Sequence, residues 1–184
     1  GRGERESDAL IAPPTLHAFA FVICRDPSTG ERAVNGLLCA TAWQFTHLPV
    51  YYTGKYLTVM ECAEEGFGLP GGSVNPKEHI TEAAVRETME EAGVPIILKG
   101  VVQIEYIPAL SRNGTWETAL RAIFYAEPAY PAPTPKCRPN WDSVGACWVS
   151  AAEVKALPLR SDEVEQRIQY LENGGFIFPL DVIA

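Results

Sequence analysis

Gly72–Val94 reads GSVNPKEHITEAAVRETMEEAGV. At about 100° per residue, a helix through this stretch carries Glu87, Glu90 and Glu91 within roughly one 100° sector. Three carboxylates so close repel one another, and the pattern makes sense with a cation between them. Hard oxygen donors in that number point to Mg²⁺ or Mn²⁺ rather than zinc. The competing reading is an acidic, solvated helix face, the ordinary fate of a charge run. Against it, Arg86 lies four residues before Glu90 and can pair with it. Ala83 and Ala84 sit beside the carboxylates, where small side chains are expected to leave room for ion and substrate. The opposite face carries Val85, Met89 and Ala92, expected to pack against a sheet. Gly93 follows where a left-handed C-cap is expected. Thr81 is the expected N-cap, which starts the helix late.

Gly72, Glu78, Arg86, Glu87, Glu90, Glu91 and Gly93 together match the Nudix box, G-x5-E-x7-R-E-U-x-E-E-x-G-U, with U a bulky apolar residue. At average residue usage these seven fixed positions arise by chance in roughly one chain per million, so the chain resembles the Nudix hydrolase superfamily. The approach GFGLPGG resembles the strand-and-turn lead-in of that family, with Phe67 where Trp is frequent. Thr88 departs from the usual Ile, Leu or Val, but it is β-branched and of similar size and can still pack. The C-terminal stretch from Leu157 resembles, more loosely, the tail of NudJ-type phosphatase members.

Length and charge bound the rest. A chain of 184 residues with 47% hydrophobic residues suits one domain with a real core. No apolar run approaches the roughly 20 residues of a membrane span. Five cysteines, an odd number without CxxC spacing, indicate neither a disulfide framework nor a zinc knuckle. They suit an intracellular, reducing compartment: the cytoplasm, or an organelle such as the mitochondrion if a targeting peptide was removed. The net charge of −8 disfavours long nucleic acids, which bind through Lys and Arg, unless a partner protein supplies the basic surface. It does not disfavour a small nucleotide, because divalent ions reverse the local sign.

Residues 1–14 read as a disordered arm, and residues 15–184 as one domain. Strands are expected at Leu16–Cys24, Lys55–Glu61, Ile96–Leu98, Val101–Leu110, Trp116–Ala126 and Val144–Val149. Asn113-Gly114 marks a hairpin turn. The Pro-rich stretch Glu127–Asn140 reads as an irregular loop. Ser150 opens a capping box for a short helix, and Ser161 is expected to cap a last helix ending near Glu172. The segment at about 31–54 reads as an aromatic-rich insertion, serving either as a stacking surface for a base or as a flap or homodimer contact. This order describes an α/β fold, and the resemblance implies the Nudix-type α/β/α sandwich with a mixed β-sheet.

The resemblance also implies roles. Nudix enzymes split a pyrophosphate bond in a nucleoside diphosphate linked to another group, by water attack on phosphorus with metal help. Glu87, Glu90 and Glu91, with a carbonyl of Gly71 or Gly72, would hold the ions. Arg86 would orient the carboxylates, and Glu78 would brace Arg86 or touch metal-bound water. Candidate general bases outside the box are Glu127 and Asp142, with Glu64 and Glu65 behind them. Arg121, a charge in mid-strand, is the favoured phosphate anchor over Arg112 at a hairpin tip. Trp116, Trp141 and Trp148 read as core, and His17 and His47 lack partners at ligand spacing. Two other functions fit: an RNA 5′-end pyrophosphohydrolase working in a complex, and a catalytically silent nucleotide-binding module.

Overall fold

The computed structural model describes residues 15–25, 54–61, 66–110, 116–129 and 134–183. Its strands are β1 (Thr15–Cys24), β2 (Tyr56–Met60), β3 (Phe67–Gly68), β4 (Gly71–Ser73), β5 (Ile96–Leu110), β6 (Trp116–Pro128) and β7 (Gly145–Val149). Its α-helices are α1 (Ile80–Ala92) and α2 (Glu163–Glu172). One sheet runs β4-β1-β6-β5 and the other β3-β2-β7. Strand β1 is parallel to β6 and antiparallel to β4, so the larger sheet is mixed, as expected.

The period-2 alternation of β1 and β6 explains the layering. Ala20, Val22 and Cys24 of β1, with Ala122, Phe124 and Ala126 of β6, join α1 in one buried cluster. The alternate residues Ile23 and Ile123 join Val164 and Ile168 of α2 in a second. Both faces of the sheet are therefore covered, which is why β1 reads as an almost unbroken apolar run. The architecture is the expected α/β/α sandwich.

Several local expectations are corrected. The two strands predicted after α1 are one, β5, with register shifts at Leu98/Gly100 and Val101/Gln103. The C-terminal segment crosses there, with the Val101 and Phe178 backbones exchanging hydrogen bonds of 2.8 Å. A Cβ on Gly100 would lie 2.4 Å from Ile177 Cγ2 and Phe178 O, so only glycine admits the crossing. Helix α1 is capped by His79 rather than Thr81: the imidazole accepts from the Thr81 amide and Glu82 reaches back to the His79 amide at 3.0 Å. The Ser150 capping box forms with Glu153 and opens a single 3₁₀ turn, Val154–Ala156. Asp162, not Ser161, starts α2.

The faces of α1 are also reassigned. Ala83, Ala84, Thr88 and Ala92 are buried, whereas Val85 and Met89 are exposed. The small residues do not clear space for substrate; they let the helix approach the sheet closely. Thr88 packs as expected and its hydroxyl donates to Ala84 O at 2.8 Å. Trp148 is core, but Trp141 is exposed. The arm at 1–14, residues 31–53, Cys39, Cys62, Glu64, Glu65 and Arg112 lie outside the described residues, as do the side chains of His17, His47 and Trp116. Among the described residues Cys137 and Cys147 are free thiols, and no helix is long and apolar enough to cross a membrane.

Candidate metal and phosphate site

The close approach of α1 brings its carboxylates onto the glycine strand β4. Phe21 pairs with Gly71 and Ala20 with Gly72 across the sheet, fixing that strand against β1. A Cβ on Gly72 would lie 2.6 Å from the Glu87 carboxyl, so the missing side chain is what seats Glu87. The Gly71 amide donates to Glu91 Oε2 at 3.0 Å. Two adjacent glycines thus carry two of the carboxylates.

Arg86 organises the outer side. Its Nε donates to Glu78 Oε1 at 2.7 Å and its Nη2 to Glu78 Oε2 at 2.9 Å and Ser73 O at 3.0 Å. Its Nη1 donates to Glu87 at 2.8 Å and Glu90 at 3.0 Å. All five donors of the fork are used, which a lysine cannot reproduce. The pairing with Arg86, aided by the Asn75 amide, holds Glu78 down to about 2. The same contacts push the guanidinium above its ordinary value.

Glu91 is perturbed the other way. Burial, then the neighbouring charges of Glu87 and Glu61, push it up to about 8 against the Gly71 hydrogen bond. A carboxyl in this condition is one whose charge lacks compensation. Among the described residues no three His, Cys, Asp or Glu side chains close on a single point, since Glu87 and Glu90 are turned to Arg86. The donor set nevertheless fits a divalent cation: it is all oxygen and lies on one helix face, with the buried Glu91 carboxyl set beside the charges of Glu87 and Glu61.

The loop after β6 holds the end of this helix. Lys136 Nζ donates to Glu90 O at 2.6 Å, Lys136 N to Ala92 O at 2.7 Å and Ser143 Oγ to Glu91 O at 2.6 Å. Gly93 closes the helix at φ 67°, as its position predicts.

The remaining candidates stand outside the carboxylate group. Glu127 pairs with Lys99 at 3.3 Å. Asp142 is bound to Asn140 at 2.7 Å on the loop that clamps α1. Arg121 pairs with Glu105 at 3.0 Å and Glu163 at 2.8 Å, and lies 4.7 Å above the Phe21 ring. Sequence reasoning overlooked Glu61, Arg160, Lys136 and Ser143. Glu61 directly follows β2 on the way to the glycine turn, a hint of a site residue; the other three carry no local signal.

The NUDIX domain model matches residues 52–170. The chain belongs to the Nudix family. As a Nudix chain it is a hydrolase, of a family that generally uses divalent metals. Phosphatase NudJ of Escherichia coli (strain K12) is 30% identical over 139 residues, 73% of this chain and 86% of that protein. The Nudix fold is shared with a NUDIX hydrolase from Nitrosomonas europaea, at TM-score 0.60 and 24% identity over 93% of this chain and 96% of that one. It is shared also with the C. elegans Ap4A hydrolase, at TM-score 0.51 and 13% identity over 87% and 98%.

Proposed function

We propose that this Nudix hydrolase uses Mg²⁺ or Mn²⁺ to split a pyrophosphate bond in a nucleoside diphosphate linked to a further group, by attack of water on phosphorus. The observation that carries this reading is the seating of Glu87 and Glu91 on Gly72 and Gly71. Glu87, Glu90 and Glu91 would hold the ions, with a carbonyl of Gly71 or Gly72. The chemistry supplied by a divalent ion bound there would be activation of water and neutralisation of charge on the phosphate oxygens. Arg86 keeps the carboxylates apart and oriented until the ion arrives, and Glu78 with Ser73 O fixes Arg86. Lys136 and Ser143 hold the backbone of Glu90 and Glu91, and so set where those carboxylates can reach.

The test is hydrolysis with Mg²⁺ or Mn²⁺ across nucleotide sugars, dinucleoside polyphosphates, nucleoside triphosphates and 5′-triphosphorylated RNA, with products identified. Cleavage between phosphorus atoms is the expected result. No turnover of any of them, with nucleotide binding retained, would favour a silent binding module instead.

A further inference from the structure

Helix α1 ends against its own electrostatics. Its last turn carries Glu90 and Glu91 and no basic residue, at the end where the helix dipole favours cations. The last four carbonyls of a helix also lack partners within it. A turn of that composition frays readily, yet two of the proposed ion ligands sit on it.

The missing charge and most of the missing donors come from a segment 46 and 52 positions downstream. All four terminal carbonyls are taken. Met89 O accepts from Gly93 N, Glu90 O from Lys136 Nζ, Glu91 O from Ser143 Oγ and Ala92 O from Lys136 N. Only the first of these bonds is local. Lys136 is thus the C-terminal cation of α1, supplied across the fold.

Asn140 joins the two donors. Its Oδ1 accepts from Lys136 Nζ at 2.8 Å, from Asp142 N at 3.0 Å and from Ser143 N at 3.1 Å. Its backbone amide donates to Ser143 O at 3.0 Å, and its Nδ2 to Asp142 Oδ2 at 2.7 Å. One side-chain oxygen therefore fixes both the lysine that meets Glu90 O and the serine that meets Glu91 O. Ser143 is fully buried, which shields its bond from water. The segment is tied in turn to β7 and β2: Ala146 N donates to Lys136 O at 2.8 Å and Val144 N to Met60 O at 2.9 Å.

We propose that Asn140 is a positioning residue for the reaction: through Lys136 and Ser143 it orders the last turn of α1 before any ion binds. The inference rests on the metal-dependent hydrolase reading and deepens it. Ligands on a fraying turn have to be ordered by the ion itself, which lowers affinity. A turn ordered beforehand presents Glu90 and Glu91 from a fixed backbone.

The experiment compares wild type with Asn140→Ala, Lys136→Met, Lys136→Arg and the double exchange Asn140→Asp with Asp142→Asn. Lys155→Met, at an exposed lysine, is the control for loss of charge. One readout is hydrogen exchange of the amides of residues 89–93, ion-free and with saturating Mn²⁺. The other is the Mn²⁺ dissociation constant by calorimetry. Asn140→Ala and Lys136→Met are expected to speed ion-free exchange of those amides by about tenfold, with the first turns of α1 unchanged. Saturating Mn²⁺ should slow it again. Both variants should bind Mn²⁺ about 10- to 100-fold more weakly, as on losing a group that orients a ligand. Lys136→Arg and the double exchange keep the charge and the acid–amide pair, and should recover most of both effects. Faster exchange at unchanged Mn²⁺ affinity makes the clamp purely structural and overturns the proposal, as does wild-type behaviour of Asn140→Ala. Should Asn140→Ala not fold, the double exchange and the contrast of Lys136→Met with Lys136→Arg decide the question. Wild type that binds no Mn²⁺ overturns the ion site itself, while exchange at residues 89–93 still shows whether Asn140 orders the turn.

Discussion

The Gly71 amide donates to Glu91 Oε2 at 3.0 Å, and that one bond links the glycine strand to the helix that carries the proposed ion ligands. It does not suffice to stabilise the charge. Burial and the nearby Glu87 and Glu61 raise Glu91 from its ordinary 4.5 to about 8. The folded, ion-free protein therefore binds the Glu91 proton more tightly than the unfolded chain does. The stabilisation this gives is fully present below about pH 4.5 and is lost as pH rises through about 8. Thermal melts in EDTA from pH 5 to 9 should show Glu91→Gln losing less stability than wild type over that window. Parallel curves would remove Glu91 as the source.

The same group couples ion binding to pH. An ion held by Glu91 must displace its proton, so Mn²⁺ affinity should rise with pH up to about 8 and then level. Calorimetry in buffers of different ionisation enthalpy would count the released proton. In Glu91→Gln that proton release should vanish, and turnover should fall by orders of magnitude with the fold intact. Full metal-dependent turnover in this variant would show that Glu91 is not in the site.

Gly72→Ala tests the seat of Glu87. The added methyl would sit 2.6 Å from the Glu87 carboxyl, so that side chain must move. A displacement of about 1 Å at a reacting centre costs on the order of a hundredfold in rate. We expect that loss in kcat together with weaker Mn²⁺ binding, and a circular dichroism spectrum like that of wild type.

Arg86→Lys keeps the charge and loses the fork. Five donated bonds to Glu78, Glu87, Glu90 and Ser73 O cannot all be remade by an ammonium. Metal affinity should drop by about 10- to 100-fold, the usual effect of losing a residue that orients ligands. An isotherm equal to wild type would mean that the carboxylates are oriented by something else.

Arg121→Gln should act on stability more than on substrate. It leaves Glu105 and Glu163 short of their partner between the sheet and α2, although Arg167 still reaches both. A lower melting temperature with little change in KM is the expected outcome. A large rise in KM at unchanged melting temperature would restore Arg121 as the phosphate anchor.

Residues close in sequence made much of this legible. The spacing of Glu87, Glu90 and Glu91 is a property of one helix, so it could be read without knowing what the helix packs on. Gly93 at its end and the Arg86–Glu90 pair are local for the same reason. The alternation in β1 is set by period; β5 and β6 pair antiparallel, while the expected turn at Asn113-Gly114 lies outside the described residues. The faces of α1 were misread because apolar size was taken as the sign of burial; two alanines were chosen by the sheet for closeness instead.

What the chain's sequence determined by itself was the helix, its row of carboxylates, the order of strands and, through the spacing, the family. Only the tertiary structure decided that Glu87 rests on Gly72 and Glu91 on Gly71, because those contacts cross 15 and 20 positions and depend on how closely a helix can approach a strand. It also decided that Arg121 is spent on Glu105 and Glu163, and that Arg160, 99 residues from Glu61, pairs with it. A charge in a sequence shows only that an ion is present; which partner it meets is a matter of distance in the fold, and electrostatic strength follows that distance and the burial around it.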